Sequence, residues 1–270
     1  MALVDTVRIS IGISPIRLPR WSGGRWLSPV VLLALWELGS RAGLIPARVL
    51  AAPSSVIRTL AGMIASGELP SNMLVSLGRV SIGLAIGVTV GTALALATGL
   101  SKRGELAIDS PVQMIRTLPA LALSPLFIVW FGIGETPKIA LIAFAATFPI
   151  YLNLYNGIRG VDVRLVEAAR SFGLRGVDLI AHVIIPAALP SFLLGLRYAL
   201  TVSWLMLVVA EQINAQAGLG YLINNARDFM RTDVIVVCLL VYALLGLAAD
   251  SLVRAVERRA LAWRPSLVER

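Results

Sequence analysis

Of the 270 residues 57% are hydrophobic and 14% charged, with 24 Lys and Arg against 15 Asp and Glu for a formal charge of +9. So apolar a chain is excluded from the soluble globular class and reads as an all-α integral membrane protein. One Cys, Cys238, and one His, His182, leave no basis for an intrachain disulfide or a metal cluster, and no cofactor is expected.

Six apolar runs predict membrane-spanning helices at approximately 27–44, 80–100, 113–131, 138–157, 188–212 and 234–253, each near the roughly 20 residues that a bilayer requires. The first contains Glu37 and Arg41 and follows a basic front end, Arg8, Arg17, Arg20 and Arg25. That pattern raises a signal peptide, but no small-residue cleavage site follows it, so the run reads as a retained anchor. In the second, Gly83, Gly87 and Gly91 repeat every four residues and strip one helix face bare, which predicts a close packing seam. Pro119, Pro125 and Pro149, in or near the ends of the third and fourth runs, predict kinks. Kinked helices that line a polar path and kinks that serve packing alone both fit.

In the fifth run Arg197, Trp204 and Glu211 recur every seven residues, with Thr201 close to the same face. Each step turns the helix by only about −20°, so the face extends over roughly 21 Å. A lone charge at the bilayer centre is costly, which makes this face a candidate translocation pathway. The alternative has Arg197 and Glu211 snorkelling to opposite membrane surfaces.

The distribution of basic residues orients the chain. Sixteen Lys and Arg fall on the side that holds both termini and residues 158–187, against seven on the other, with Arg197 inside a helix. Both termini are therefore expected in the cytoplasm, as tails 1–26 and 254–270 flanking a transmembrane domain at 27–253. This rim accounts for the positive charge, and no basic module interleaved with aromatics points to nucleic acid. Lys102 and Lys138, the only lysines, lie in no glycine-rich phosphate loop, so any ATP hydrolysis belongs to another chain.

Residues 158–187 form a charged, water-compatible loop between two apolar runs. Leu165, Ala168, Ala169 and Phe172 fall at helical spacing, with Arg164, Glu167 and Ser171 opposite. Asp162 is placed to cap this short helix and Gly173 to end it in the left-handed conformation. A second short helix then leads to Pro186 and Pro190, which suit the first turn of the next span.

Glu167-Ala168-Ala169, then Gly173, then Val183-Ile184-Ile185-Pro186 nine residues on, resembles the coupling loop of ABC importer permeases, whose pattern is E-A-A, three residues, Gly, nine residues, I-x-L-P. Val stands here for Ile and Ile for Leu. The resemblance runs through nearly the whole chain: Pro53-Ser54-Ser55-Val56, Leu118-Pro119-Ala120-Leu121-Ala122, Pro125-Leu126-Phe127, Trp130-Phe131-Gly132-Ile133-Gly134-Glu135, Phe148-Pro149-Ile150-Tyr151, Gly157-Ile158-Arg159, Ala210-Glu211 and Gly218-Leu219-Gly220-Tyr221. These segments are similar to the aliphatic-sulfonate, taurine and nitrate branch, most closely its aliphatic-sulfonate members over 126–253.

The resemblance implies a type I importer fold, a homodimer of this subunit in the inner membrane, a cytoplasmic ATPase dimer and an extracytoplasmic substrate-binding protein. Glu167 would anchor the loop in a cleft of the ATPase, Ala168 and Ala169 would allow close approach, and Gly173 would supply the turn. The loops 45–79 and 213–233 would meet the binding protein. Two other classes are weighed against this reading. An intramembrane enzyme would need clustered His, Asp or Glu, which the chain lacks, and a non-conducting scaffold or receptor would also keep an amphipathic loop.

Overall fold

The computed structural model describes residues 24–213 and 215–263. Most of the N-terminal tail and the end of the C-terminal tail, both expected in the cytoplasm, lie outside the described residues. Counting the interrupting π turns with their helices, the elements are α1 (Gly24–Arg41), α2 (Pro53–Ala65), α3 (Glu68–Gly99), α4 (Lys102–Arg116), α5 (Ala120–Phe131), α6 (Thr136–Arg159), α7 (Val163–Ser171), α8 (Gly176–Gln212), α9 (Leu219–Asp228) and α10 (Thr232–Ala260). No strand occurs among the described residues.

Helices α3, α6, α8 and α10 are long and apolar enough to cross a membrane, and α4 and α5 together make a fifth candidate bent by 90°. The break has a local cause, because Leu118 precedes Pro119 and the proline ring drives its predecessor out of helical geometry. The expected sixth span, α1, carries Arg25, Glu37 and Arg41 in 18 residues and falls outside that group. Glu37 has a structural use there: its carboxylate accepts hydrogen bonds from the Ser54 backbone N–H at 3.0 Å and the Ser54 hydroxyl at 2.8 Å, and so caps the start of α2 from the neighbouring helix.

Two sequence expectations change. The segment 45–79, read as an outer loop, is largely helical, since α2 lies within it and α3 begins at Glu68, twelve positions before the apolar run. The second half of the coupling loop, read as a separate short helix, is continuous with the following span as α8, through a π turn at Ile180–Ile184. Pro186 lacks the N–H that an α-helix would use there, and the wider turn absorbs the defect.

The core is built on α6, which packs against α3 on one side and α8 on the other. Along the α3 seam a Cβ added at Gly83 would lie 2.6 Å from the Ile142 side chain, at Gly87 2.6 Å from the Ala146 Cβ, and at Gly91 2.6 Å from the Thr147 carbonyl oxygen. Backbones this close gain dispersion contacts that replace the hydrophobic drive absent between helices in lipid. Gly87→Val is therefore expected to cost about 1–3 kcal/mol by overpacking, whereas Gly78→Ala, on the same helix with open space at its Cβ, should be neutral or stabilising. Thermal unfolding of the detergent-solubilised protein checks this, and equal midpoints for the two variants would contradict the seam.

Candidate functional site

At one end of the bundle α7 packs on the first turns of α8. Asp162 accepts from the Arg164 backbone N–H at 2.9 Å and caps the helix. At the other terminus Gly173 adopts φ +89°, its N–H donates to the Arg170 carbonyl at 3.0 Å, and the Leu174 N–H reaches back to the Ala169 carbonyl at 3.1 Å. This left-handed closure satisfies carbonyls the helix would otherwise leave open. Of the expected apolar face only Ala169 is buried. Leu165 and Ala168 are exposed and Phe172 is 87% exposed, beside exposed Val163 and Val177. Glu167 is exposed as well. The knob thus offers an unpartnered apolar edge and a carboxylate, held at a fixed angle by its caps.

On the same side a polar cluster ties α4 to α6. Tyr155 donates to Glu105 at 2.6 Å, Tyr151 donates to Asp109, and Arg159 pairs with Glu105 while lying over the Tyr155 ring. The carboxylates sit in the π turn Glu105–Asp109.

At the opposite end lies an ionic node. Arg79, 3% exposed, bridges two carboxylates: it donates to Glu211 at 2.6 Å and to both oxygens of Glu135. Lys138 also donates to Glu135, at 3.0 Å. Glu211 is fully buried and saturated, accepting from Ser76 at 2.7 Å, the Gly220 N–H at 2.8 Å and Tyr242 at 2.9 Å. Ser76 accepts in turn from the Leu219 N–H at 2.9 Å, and Asn72 accepts from the Gly218 N–H at 2.7 Å. Side chains at Gly218 or Gly220 would strike Glu211, within 2.5 Å or less, so glycine lets the 215–220 segment wrap this carboxylate. Hydrogen bonds from Arg79 and then Lys138 outweigh desolvation and hold the Glu135 carboxyl down at about 2. Its ionised form therefore stabilises the node above the ordinary carboxylate range, and that contribution is lost only as pH falls toward 2. Two cations and two carboxylates close with no net charge. The node joins α3, the α5–α6 turn, α8, α9 and α10.

The seven-residue face of α8 points toward α10. Arg197 pairs with Asp250 at 2.9 Å, Thr201 and Trp204 line a cleft with Tyr242 and Asp250, and Trp204 meets Tyr242 edge-on at 6.4 Å. Glu211 ends this face inside the node. Arg197, its side chain 37% exposed, thus has a carboxylate partner on α10. Arg79 and Lys138, counted in the sequence among loop cations, are buried parts of the node.

Residues 86–261 match the family described as binding-protein-dependent transport system inner membrane component. The chain is 48% identical over 241 residues to the "Putative aliphatic sulfonates transport permease protein SsuC" of Escherichia coli (strain K12), covering 89% of this chain and 92% of that one. It is 43% identical to the protein of the same name from Bacillus subtilis (strain 168), over 91% and 89% of the two chains. The E. coli taurine transport system permease protein is 35% identical over 86% of each. Among solved structures, an amino acid ABC transporter chain superposes with a TM-score of 0.61 at 23% identity, covering 74% of this chain and 97% of that one; this likeness carries the fold alone, an all-α ABC importer permease. The chain belongs to the binding-protein-dependent transport system inner membrane components.

Proposed function

We propose that the chain is the permease subunit of an ATP-driven importer of aliphatic sulfonates. The observation that carries the substrate is the gap in identity, 48% and 43% to two relatives named for aliphatic sulfonates against 35% to one named for taurine. In this reading two copies form the membrane path, an ATPase dimer binds on the cytoplasmic side with both permease termini, and a substrate-binding protein docks on the outer face. ATP hydrolysis takes place on the ATPase, and the permease supplies path and lever. The α7 knob is the lever: Leu165 and Phe172 give the ATPase an apolar edge to bury, Glu167 a charge to pair, and Ala168 and Ala169 leave room for close approach.

Deletion of the gene is expected to abolish growth on an alkanesulfonate as sole sulfur source while leaving growth on sulfate intact, with restoration by the chain in trans. Unimpaired sulfonate growth together with lost growth on taurine, or on nitrate as nitrogen source, would reassign the substrate within the same branch. Intact growth on every such solute would remove the importer reading.

A further inference from the structure

The break between α4 and α5 opens a cleft of about 490 Å³ against α6 and α8, within the size range of small-molecule sites. Arg116, the last residue of α4, lines it with Phe144, Phe148 and Asn153 of α6 and Tyr198 and Met206 of α8. Phe148 lies midway along α6 (Thr136–Arg159), and Tyr198 midway along the α8 stretch Ile185–Gln212. Arg116, counted by sequence with the cytoplasmic rim, is thus placed at mid-span.

Arg79, Lys138, Arg159 and Arg197, on α3, α6 and α8, all meet carboxylates. Arg116 meets none among the described residues, and no acidic side chain lines the cleft. The Tyr198 hydroxyl, on a side chain 54% exposed, is likewise uncommitted there, while the Asn153 amide already donates to the Pro149 carbonyl at 2.8 Å. Opposite these polar groups the Phe144 and Phe148 rings meet edge-on at 4.9 Å and form, with Met206, an apolar wall. A cation at mid-span with no carboxylate partner among the described residues marks a functional position.

We propose that this cleft is a holding site for an organic monoanion with an apolar tail, with Arg116 and the Tyr198 hydroxyl on the anionic head and the Phe144–Phe148 wall on the tail. The proposal rests on the permease reading and deepens it: the substrate class would be recognised within the membrane as well as by the binding protein. Guanidinium presents a planar fork of donors that matches two oxygens of a sulfonate. A lipid chain or an apolar face of a second copy would leave that charge unpaired, which selects the anion as occupant.

The test uses the complete transporter, with ATPase and binding protein, in proteoliposomes, measuring uptake of alkanesulfonates of graded chain length at saturating loaded binding protein. Arg116→Gln should lower uptake by about ten- to a hundredfold, the loss of a hydrogen-bonded charge, while Arg116→Lys stays within about tenfold of wild type and both variants co-purify with the ATPase. Val202→Trp, which fills the cleft from α8, should exclude long tails and spare methanesulfonate, a shift in selectivity that simple destabilisation does not produce. In a Cys238→Ser background, Tyr198→Cys should be shielded by alkanesulfonate from a water-soluble thiol reagent. Wild-type uptake by Arg116→Gln, equal loss for all tails in Val202→Trp, a disulfide between two copies at position 198, or labelling there only by a lipid-soluble reagent would each overturn the cleft. Failure of the wild-type transporter to carry any sulfonate would instead overturn the substrate reading, so the two failures are distinguishable.

Discussion

Arg79→Leu is expected to be among the most destabilising single substitutions in the described chain, by about 3–5 kcal/mol, because it strands a buried carboxylate. Glu211 is fully buried, and Arg79 is the only cation paired with it among the described residues. Deleting the guanidinium also frees the Ala217 carbonyl that it holds at 2.7 Å and leaves Glu135 to Lys138 alone. Glu211→Gln is a milder change. Its carbonyl oxygen keeps an acceptor for the Gly220 N–H and Tyr242, which share one carboxylate oxygen, and Arg79 retains Glu135, so the loss should be nearer the about 1.5–3 kcal/mol of a hydrogen bond to a charged group. The measurement is thermal unfolding of the purified protein in detergent, together with the yield of monodisperse material. An Arg79→Leu protein that melts no lower than Glu211→Gln would show that the node does not bear on the stability of this end of the bundle.

This node was the part of the molecule least legible in the sequence, and the reason is distance along the chain. Arg79 stands at the edge of an apolar run, where a lone cation ordinarily marks the membrane interface, and its partners are 56 and 132 residues away. A signal was nevertheless present. Asn72, Ser76, Arg79 and Gly83 fall at i, i+4, i+7 and i+11, a polar and small stripe continuing the glycine seam toward the N-terminus, and read as one helix face it extends α3 well beyond the apolar run. The features recovered directly were local ones. The capping of α7 depends on Asp162 and Gly173 within one short segment, the α3–α6 seam on a four-residue period, and the α4–α5 bend on the single pair Leu118-Pro119. Periodicity also found the face of α8 that contains Arg197, Trp204 and Glu211, but the identity of its neighbour, α10, is tertiary information that spacing does not hold.

Gly173→Val is expected to uncouple transport from ATP hydrolysis while leaving the chain inserted and assembled. A Cβ at Gly173 would meet nothing within 4 Å, so steric conflict with the rest of the chain is not the cause. The cost lies in the backbone, since φ +89° belongs to the left-handed region that L-residues resist by about 1–2 kcal/mol, β-branched residues most. The strain falls on a cap exposed at the tip of the bundle. It is relieved by reopening the bonds from Gly173 to Arg170 and from Leu174 to Ala169, which fix the direction in which Leu165 and Phe172 project. The spans need not respond. Gly173→Asn supplies the decisive contrast, because Asn enters the left-handed region at low cost yet is larger and more polar than Ala. It should retain most of the coupling that Val loses, whereas a requirement for an absent side chain would make both variants fail alike. Glu167→Lys, which leaves the fold of α7 untouched and reverses an exposed charge, should weaken retention of the ATPase instead. Uptake per ATP hydrolysed in proteoliposomes, alongside co-purification of the ATPase, separates these effects. Wild-type stoichiometry in Gly173→Val would remove the capped α7 knob as the lever through which ATP binding moves the permease.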